Sequence, residues 1–215
     1  MFHLIKEVRD IGRFNEILVV LFEEGFSFLL SKTGLHTQIP LTKRLKKFGK
    51  KEAIKPEVRL RKTLERLGPT FIKFGQVLSI RPDLIPLEYC KELEKLQDSV
   101  LPIPFNEVKT IVEKELNGKI EKLFLHFDEK PIASASISQV HKAILKTGEK
   151  VAVKVQRPSV KQIMEIDIDL MIYFAKLLEN HMERIKKFNP VRIVNEFREW
   201  TEKELNFRLE ARNAK

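Results

Sequence analysis

The sequence predicts an α+β fold: helices, then a small antiparallel sheet, then helices again. Three observations carry that reading. Apolar residues recur at helical spacing through the early chain, as in Ile5, Val8, Ile11, Ile17 and Val20. Between Lys122 and Gln156 the composition turns to that of strands. The period is two in Lys150 to Gln156, where Val151, Val153 and Val155 alternate with Ala152, Lys154 and Gln156. Beyond Pro158 the helical period returns.

A chain of 215 residues with 43% apolar and 33% charged residues is long enough for a real core and too apolar to stay disordered. Its net charge of +10 is concentrated: Leu41 to Arg66 holds eleven Lys or Arg against Glu52, Glu57 and Glu65. A single cysteine, Cys90, excludes an internal disulfide framework and a Cys-rich zinc site, and favours a reducing compartment. The longest apolar run, Ile17 to Phe22, falls far short of the roughly 20 residues a membrane span needs. The opening MFHLIKEVRD carries acids where a signal peptide would be apolar. These features predict a chain that is neither exported nor membrane-spanning.

Three zones follow in order. Residues 1–66 read as helical, with a break at Ser31 to Pro40 and then the basic segment. Residues 67–117 read as linked helices with prolines at their ends. PLEYCKELEKL and PFNEVKTIVEKEL each set Pro in a first turn with acids behind it, as the helix dipole favours. Residues 118–215 hold strands at Lys122 to Phe127, Ser136 to Leu145 and Lys150 to Gln156, the last two joined by a Lys146-Thr147-Gly148-Glu149 hairpin turn. A long helix should then reach about Lys187, and Asn189-Pro190 should cap and open another.

The stretch PIASASISQVHKAILKTGEKVAVKVQRP, residues 131–158, could carry chemistry. Ala133, Ser134, Ala135, Ser136 and Ser138 are short enough to let a phosphate approach backbone N–H groups. Lys154 projects from the strand face opposite the valines. Small loop, hairpin and a V-A-V-K strand is the order protein kinases use to hold nucleotide phosphates. The plain alternative is an exposed hairpin with a solvated lysine. A second stretch, LGPTFIKFGQVLSIRPDLIP at 67–86, sets Lys73, Gly75 and Gln76 among apolar neighbours. Glycine inside a helix costs about 1 kcal/mol relative to Ala, so its missing side chain should matter. There the plain alternative is a tight helix crossing at Gly75 with Lys73 reaching out to water.

These stretches, with KELNFRLEARNA near the end and RFNEILVVLFEEGFSFLL near the start, resemble the UbiB family of atypical kinase-like proteins, linked to ubiquinone biosynthesis. The resemblance covers nearly the whole chain in the right order and spacing. It implies a protein-kinase-like N-lobe of antiparallel sheet plus helices, preceded by a helical extension that packs over the nucleotide cleft.

The family's residues carry over position by position. Lys73, Gly75 and Gln76 match its regulatory Lys-x-Gly-Gln signature, which stands where a protein substrate would dock. Ala133 to Gln139 match its alanine-rich nucleotide loop, so the implied ATP contacts are Ile132, Ala133, Ser134, Ala135, Ser136, Ile137, Ser138, Gln139 and Val140. Ser134 and Ser138 stand where Ala and Gly are more usual. Lys154 matches the strand lysine that contacts the α- and β-phosphates, with Glu210 as its acidic partner. Glu204 and Asn206 fall on the family's Glu-x-Asp motif, which engages the lysine at position 73. Asn206 supplies no negative charge there, so a weaker grip is expected.

A catalytic Asp, a downstream Asn and an Asp-Phe-Gly segment for Mg²⁺ should follow the Lys–Glu elements. No glycine follows Gly148, so no such segment lies in this chain, which reads as an N-lobe with the catalytic C-lobe missing. The resemblance therefore implies the N-terminal part of an ATP-dependent kinase or ATPase serving ubiquinone or related prenyl-lipid biosynthesis. Mg²⁺ would be held by residues outside the chain, and lipid-biosynthesis proteins are possible partners. The alternative is a non-catalytic accessory fragment that binds nucleotide or lipid at a membrane surface. The scattered His3, His36, His126, His141 and His181 suggest no metal site, and Phe197, Trp200 and Phe207 read as core packing. The basic run could be a solvated helix surface or meet anionic lipid or prenyl-lipid precursors. With Phe48 its only aromatic, it does not suit sequence-specific single-strand binding, and a helical nucleic-acid-binding protein using Leu41 to Arg66 is the third and weaker reading. The expected location is cytoplasmic, with peripheral contact at the inner face of the membrane as a further option.

Overall fold

A computed structural model describes residues 10–38, 54–96, 101–207 and 212. The chain forms two compact units, residues 1–96 with 161–215, and residues 97–160. This division does not follow the zones read from sequence: the segment 105–115 belongs with the sheet, and the helix after Pro158 belongs with the early helices.

The first unit is helical. Helix α1 (Ile11–Glu23) is capped by Asp10, whose carboxylate accepts the Arg13 N–H at 2.8 Å. Its buried face is Phe14, Ile17, Leu18 and Val20, while Ile11, expected in the apolar stripe, is 56% exposed. Helix α2 (Ser27–Lys32) and a 3₁₀ turn (Leu35–Gln38) follow. Prolines begin α3 (Pro56–Leu67) and α4 (Pro69–Ser79), where a missing N–H costs no helical bond. Helix α5 (Leu87–Leu93) starts just after Pro86. Two later helices complete the unit, α8 (Val160–His181) and α10 (Pro190–Glu204), separated by the short α9 (Glu183–Lys186). The core joins Phe14, Ile17 and Leu18 to Leu64, Phe71, Leu93, Met171 and Phe197.

Two expectations about helix ends are corrected in this unit. The long helix ends at His181 rather than near Lys187. Asn189 precedes Pro190 in a left-handed conformation (φ 48°) without capping through its side chain, and Glu179 accepts the Val191 N–H instead, at 3.1 Å.

Buried charge also locks this unit. Arg13 donates to both Asp167 oxygens, at 2.7 and 3.2 Å, and to the Leu67 carbonyl at 2.5 Å. Burial pulls the Arg13 pKa down, but the bonds from Asp167 and Glu16 outweigh it and leave it above its ordinary value.

The second unit is a helix on a four-stranded antiparallel sheet. Helix α6 (Phe105–Glu115) and the single turn α7 (Ile120–Leu123) precede β1 (Phe124–Phe127), which therefore starts two residues later than its composition suggests. Strands β2 (Ala133–Ser134), β3 (Ser138–Leu145) and β4 (Lys150–Gln156) follow. Strand β3 is central: β1 and β2 share one of its edges, and β4 takes the other. Gly148, at φ 93°, makes the expected turn, and its N–H donates to the Leu145 carbonyl at 2.9 Å. Val108 and Val112 of α6 pack on Phe124, Phe127, Ala143 and Val155, covering one face of the sheet.

Candidate functional site

The register sorts the sheet's residues by face, because directly opposed residues in antiparallel strands point the same way. Val155 opposes Gln139, and Gln139 opposes Ser134; this row faces the core, with Gln139 wholly buried and Val155 3% exposed. On the other face Lys154 opposes Val140, and Val140 opposes Ala133. A second row on that face sets Ala152 opposite Lys142. Lys154, Ala152, Lys142 and Ala133 are exposed and Val140 is half-buried. The outer face thus presents small apolar residues beside two lysine cations, a surface suited to a flat ring with an anionic tail. Lys142 was not anticipated from sequence; its signal was the pairing across the Gly148 hairpin, which brings it to the lysine face.

The small-residue segment is itself a hairpin, which corrects the loop read from sequence. Ala133 and Ser134 are already strand, and only Ala135 to Ile137 turn. The Ala135 N–H donates to the Ser138 carbonyl at 2.8 Å, so it is spent within the turn. Ser136, Ile137 and Ser138 are buried, the Ser136 hydroxyl without a hydrogen-bond partner, whereas Ile132 is 53% exposed.

Arg157 fastens this turn. Its Nε donates to the Ala135 carbonyl (2.9 Å), its Nη2 to the Ser134 hydroxyl (2.8 Å) and to the Leu101 carbonyl (2.9 Å), and its backbone N–H to the Ile137 carbonyl (3.0 Å). Burial pushes the guanidinium below its ordinary pKa.

Gln139 braces the hairpin from beneath. Its Oε1 accepts the Ile103 N–H at 2.8 Å, and its Nε2 lies 2.9 Å from His141 Nε2. His141 Nδ1 is 2.7 Å from the Asp128 carbonyl, which can only accept, so Nδ1 carries the proton and Nε2 receives the Gln139 amide. The Gln139 side chain is thus engaged inside the unit and turned from the lysine face.

In the helical unit, Lys73 Nζ lies 2.8 Å from Glu204 Oε1 and 4.9 Å from the centroid of the Trp200 ring. With 14% of its side chain exposed, Lys73 does not reach out to water. The tight crossing at Gly75 is present: a Cβ there would stand 2.3 Å from Leu96 Cδ1 and 2.8 Å from Leu64 Cδ1. Gln76 donates to the Leu96 carbonyl at 3.2 Å. Asn206 follows α10 and is exposed. Trp200, expected in the core, is 40% exposed, while Phe197 is buried as expected. Glu210, the expected partner of Lys154, lies outside the described residues, as do residues 41–53 of the basic run.

The rest of that run is partly neutralised. Arg61 bonds Glu92 at 2.7 Å and Glu65 at 2.5 Å, and Arg66 pairs with Glu23 at 2.6 Å and with Glu24. Among the described residues no helix is long and apolar enough to cross a membrane, and no group of three or more His, Cys, Asp or Glu could hold a metal ion.

An antiparallel sheet with helices, bearing a small-residue hairpin and a strand lysine on one face, defines a kinase-like N-lobe. Residues 95–215 match the ABC1 atypical kinase-like domain, more than half the chain, and the chain belongs to that family. It is 44% identical over 156 residues to the "Probable protein kinase UbiB" of Marinobacter nauticus, covering 73% of this chain and 28% of that protein. It is 42% identical over 208 residues to an "Uncharacterized protein in hydrogenase 1 5'region" of Clostridium pasteurianum, covering 96% of this chain and 36% of that one. The chain thus spans about a third of the length of these curated relatives. A solved structure, the Rv3197–erythromycin complex from Mycobacterium tuberculosis, is similar with a TM-score of 0.37 and 32% identity over 63% of this chain and 34% of that one.

Proposed function

We propose that this chain is the ATP-holding N-terminal part of a UbiB-like atypical kinase or ATPase that supports ubiquinone or related prenyl-lipid biosynthesis. The observation that carries the reading is the row Ala133–Val140–Lys154 across three adjacent strands, with Lys142 and Ala152 beside it on the same face. Neighbouring strands lie about 4.8 Å apart, so the row spans roughly 10 Å. Val140 and Ala152 would lie against the adenine, and Lys154, assisted by Lys142, would hold the phosphates. Arg157 and Gln139 would keep the hairpin in shape without touching the nucleotide. In the architecture the resemblance implies, Mg²⁺ ligands and the catalytic base come from a C-lobe that follows the Lys–Glu elements.

ATP turnover coupled to handling a lipid precursor is preferred to protein phosphorylation, on the family resemblance of Lys73 to Gln76. Peripheral contact with anionic membrane is a further part of the proposal. It would fall to Lys43, Arg44, Lys46 and Lys47, because Arg61 and Arg66 are already paired with carboxylates.

Calorimetric titration with ATP tests the site. Lys154→Met should weaken binding about tenfold or more, the loss expected for one charge-assisted phosphate contact. Equal affinity in the wild-type and Lys154→Met proteins would remove Lys154 from the site.

A further inference from the structure

The Lys73 ammonium has two holders. Glu204 and Trp200 lie four residues apart on α10, so they share one face of the helix. The Glu204 carboxylate is 2.8 Å from Nζ, and the Trp200 ring centroid is 4.9 Å away, within cation–π range. Phe197, 2% exposed, stacks behind the indole at 6.4 Å and 24°. Phe197 in turn meets Phe74, the neighbour of Lys73, edge-on at 5.1 Å. The indole is therefore backed by the core and turned toward the cation, although 40% of Trp200 stays exposed.

We propose that Trp200 is a positioning residue for Lys73: its fixed π-face holds the ammonium beside Glu204 and so sets where this lysine of α4 points. An ammonium has three donors and meets a single carboxylate oxygen here. The indole π-face is a second source of negative potential at that ammonium. The inference stands on α4 and α10 alone. It touches the proposed function only through what Lys73 does once held.

Trp200 is the only tryptophan in the chain, so its fluorescence reports on Lys73 directly. In the 215-residue chain, iodide and caesium quenching should differ by the sign of the nearby charge. Lys73→Met should lower the iodide-to-caesium ratio of quenching constants about threefold, and Lys73→Arg should keep it near wild type. An unchanged ratio in Lys73→Met overturns the proposal. A second arm measures acetylation of Lys73, mapped by mass spectrometry against exposed Lys114. Acetylation should rise from wild type through Trp200→Phe to Trp200→Leu, reaching about tenfold, because Phe keeps a weaker π-face and Leu none. Equal rates in Phe and Leu variants would mean that Trp200 only packs, and would also overturn it. If Trp200→Leu does not fold, the quenching arm decides. Neither arm contains nucleotide, so failure here is separable from failure of the ATP reading.

Discussion

Arg157 Nη2 donates to the Ser134 hydroxyl at 2.8 Å, tying the end of the V-A-V-K strand to the small-residue hairpin. The same guanidinium also takes the Ala135 and Leu101 carbonyls, so one side chain ties the entry of the turn to the Leu101 segment. Arg157→Met should leave these acceptors without their charged donor and destabilise the chain by about 2 kcal/mol. Arg157→Lys, with a point charge in place of a fork, should recover only part of that loss. Urea midpoints measure both; a Met variant as stable as wild type would show that the turn stands without the brace.

Gly75 is where α4 meets Leu96 and Leu64. Gly75→Ala should gain about 1 kcal/mol of helix propensity and lose more to overpacking, for a net loss of about 1–2 kcal/mol. Combining it with Leu96→Ala should cost less than the sum of the two single changes, since the smaller residue makes room for the methyl. Strict additivity would mean that the contact is not the constraint.

Asp167 is 1% exposed and takes two bonds from Arg13. Asp167→Asn leaves that guanidinium half-buried beside a neutral amide, and should cost about 3 kcal/mol or more. The double substitution Arg13→Met with Asp167→Leu should cost less than Asp167→Asn alone, because no charge is then stranded. Thermal or urea unfolding separates the two cases.

The Glu92 carboxyl is held below its ordinary pKa first by its bond from Lys95 and then by that from Arg61. A carboxyl depressed in the folded state contributes stability that is present above the unfolded value, about pH 4.3, and is lost as pH falls through the folded value. Stability should therefore fall as the chain is acidified below about pH 5. Glu92→Gln should be less stable at neutral pH and lose less on acidification. The slope of the urea midpoint against pH reads this, and an identical slope in the variant would remove Glu92 from the acid response.

Much of the sheet was legible because β4 alternates cleanly and Gly148 supplies the positive φ of its turn. Strand β2 was not, since two residues have no period and Ala133-Ser134 looks like any small-residue loop. Tertiary context decided the rest. The helical period of α8 shows that a helix forms but not which core receives it. An aromatic on a helix reads as core, yet the pairing with Lys73 leaves Trp200 at the surface. Arg157 had no visible role because its acceptors are mostly main-chain carbonyls, which leave no mark on the sequence. Lys73 and Glu204 were associated through the resemblance alone, as spacing cannot join residues so far apart.

Mapping ATP onto the backbone amides of the 215-residue chain by NMR tests the central claim most directly. The account predicts the largest shift changes at Ala133, Val140, Ala152 and Lys154, on the outer face of the sheet, and their loss in Lys154→Met. Shifts confined to other segments, or none at millimolar ATP, would contradict it.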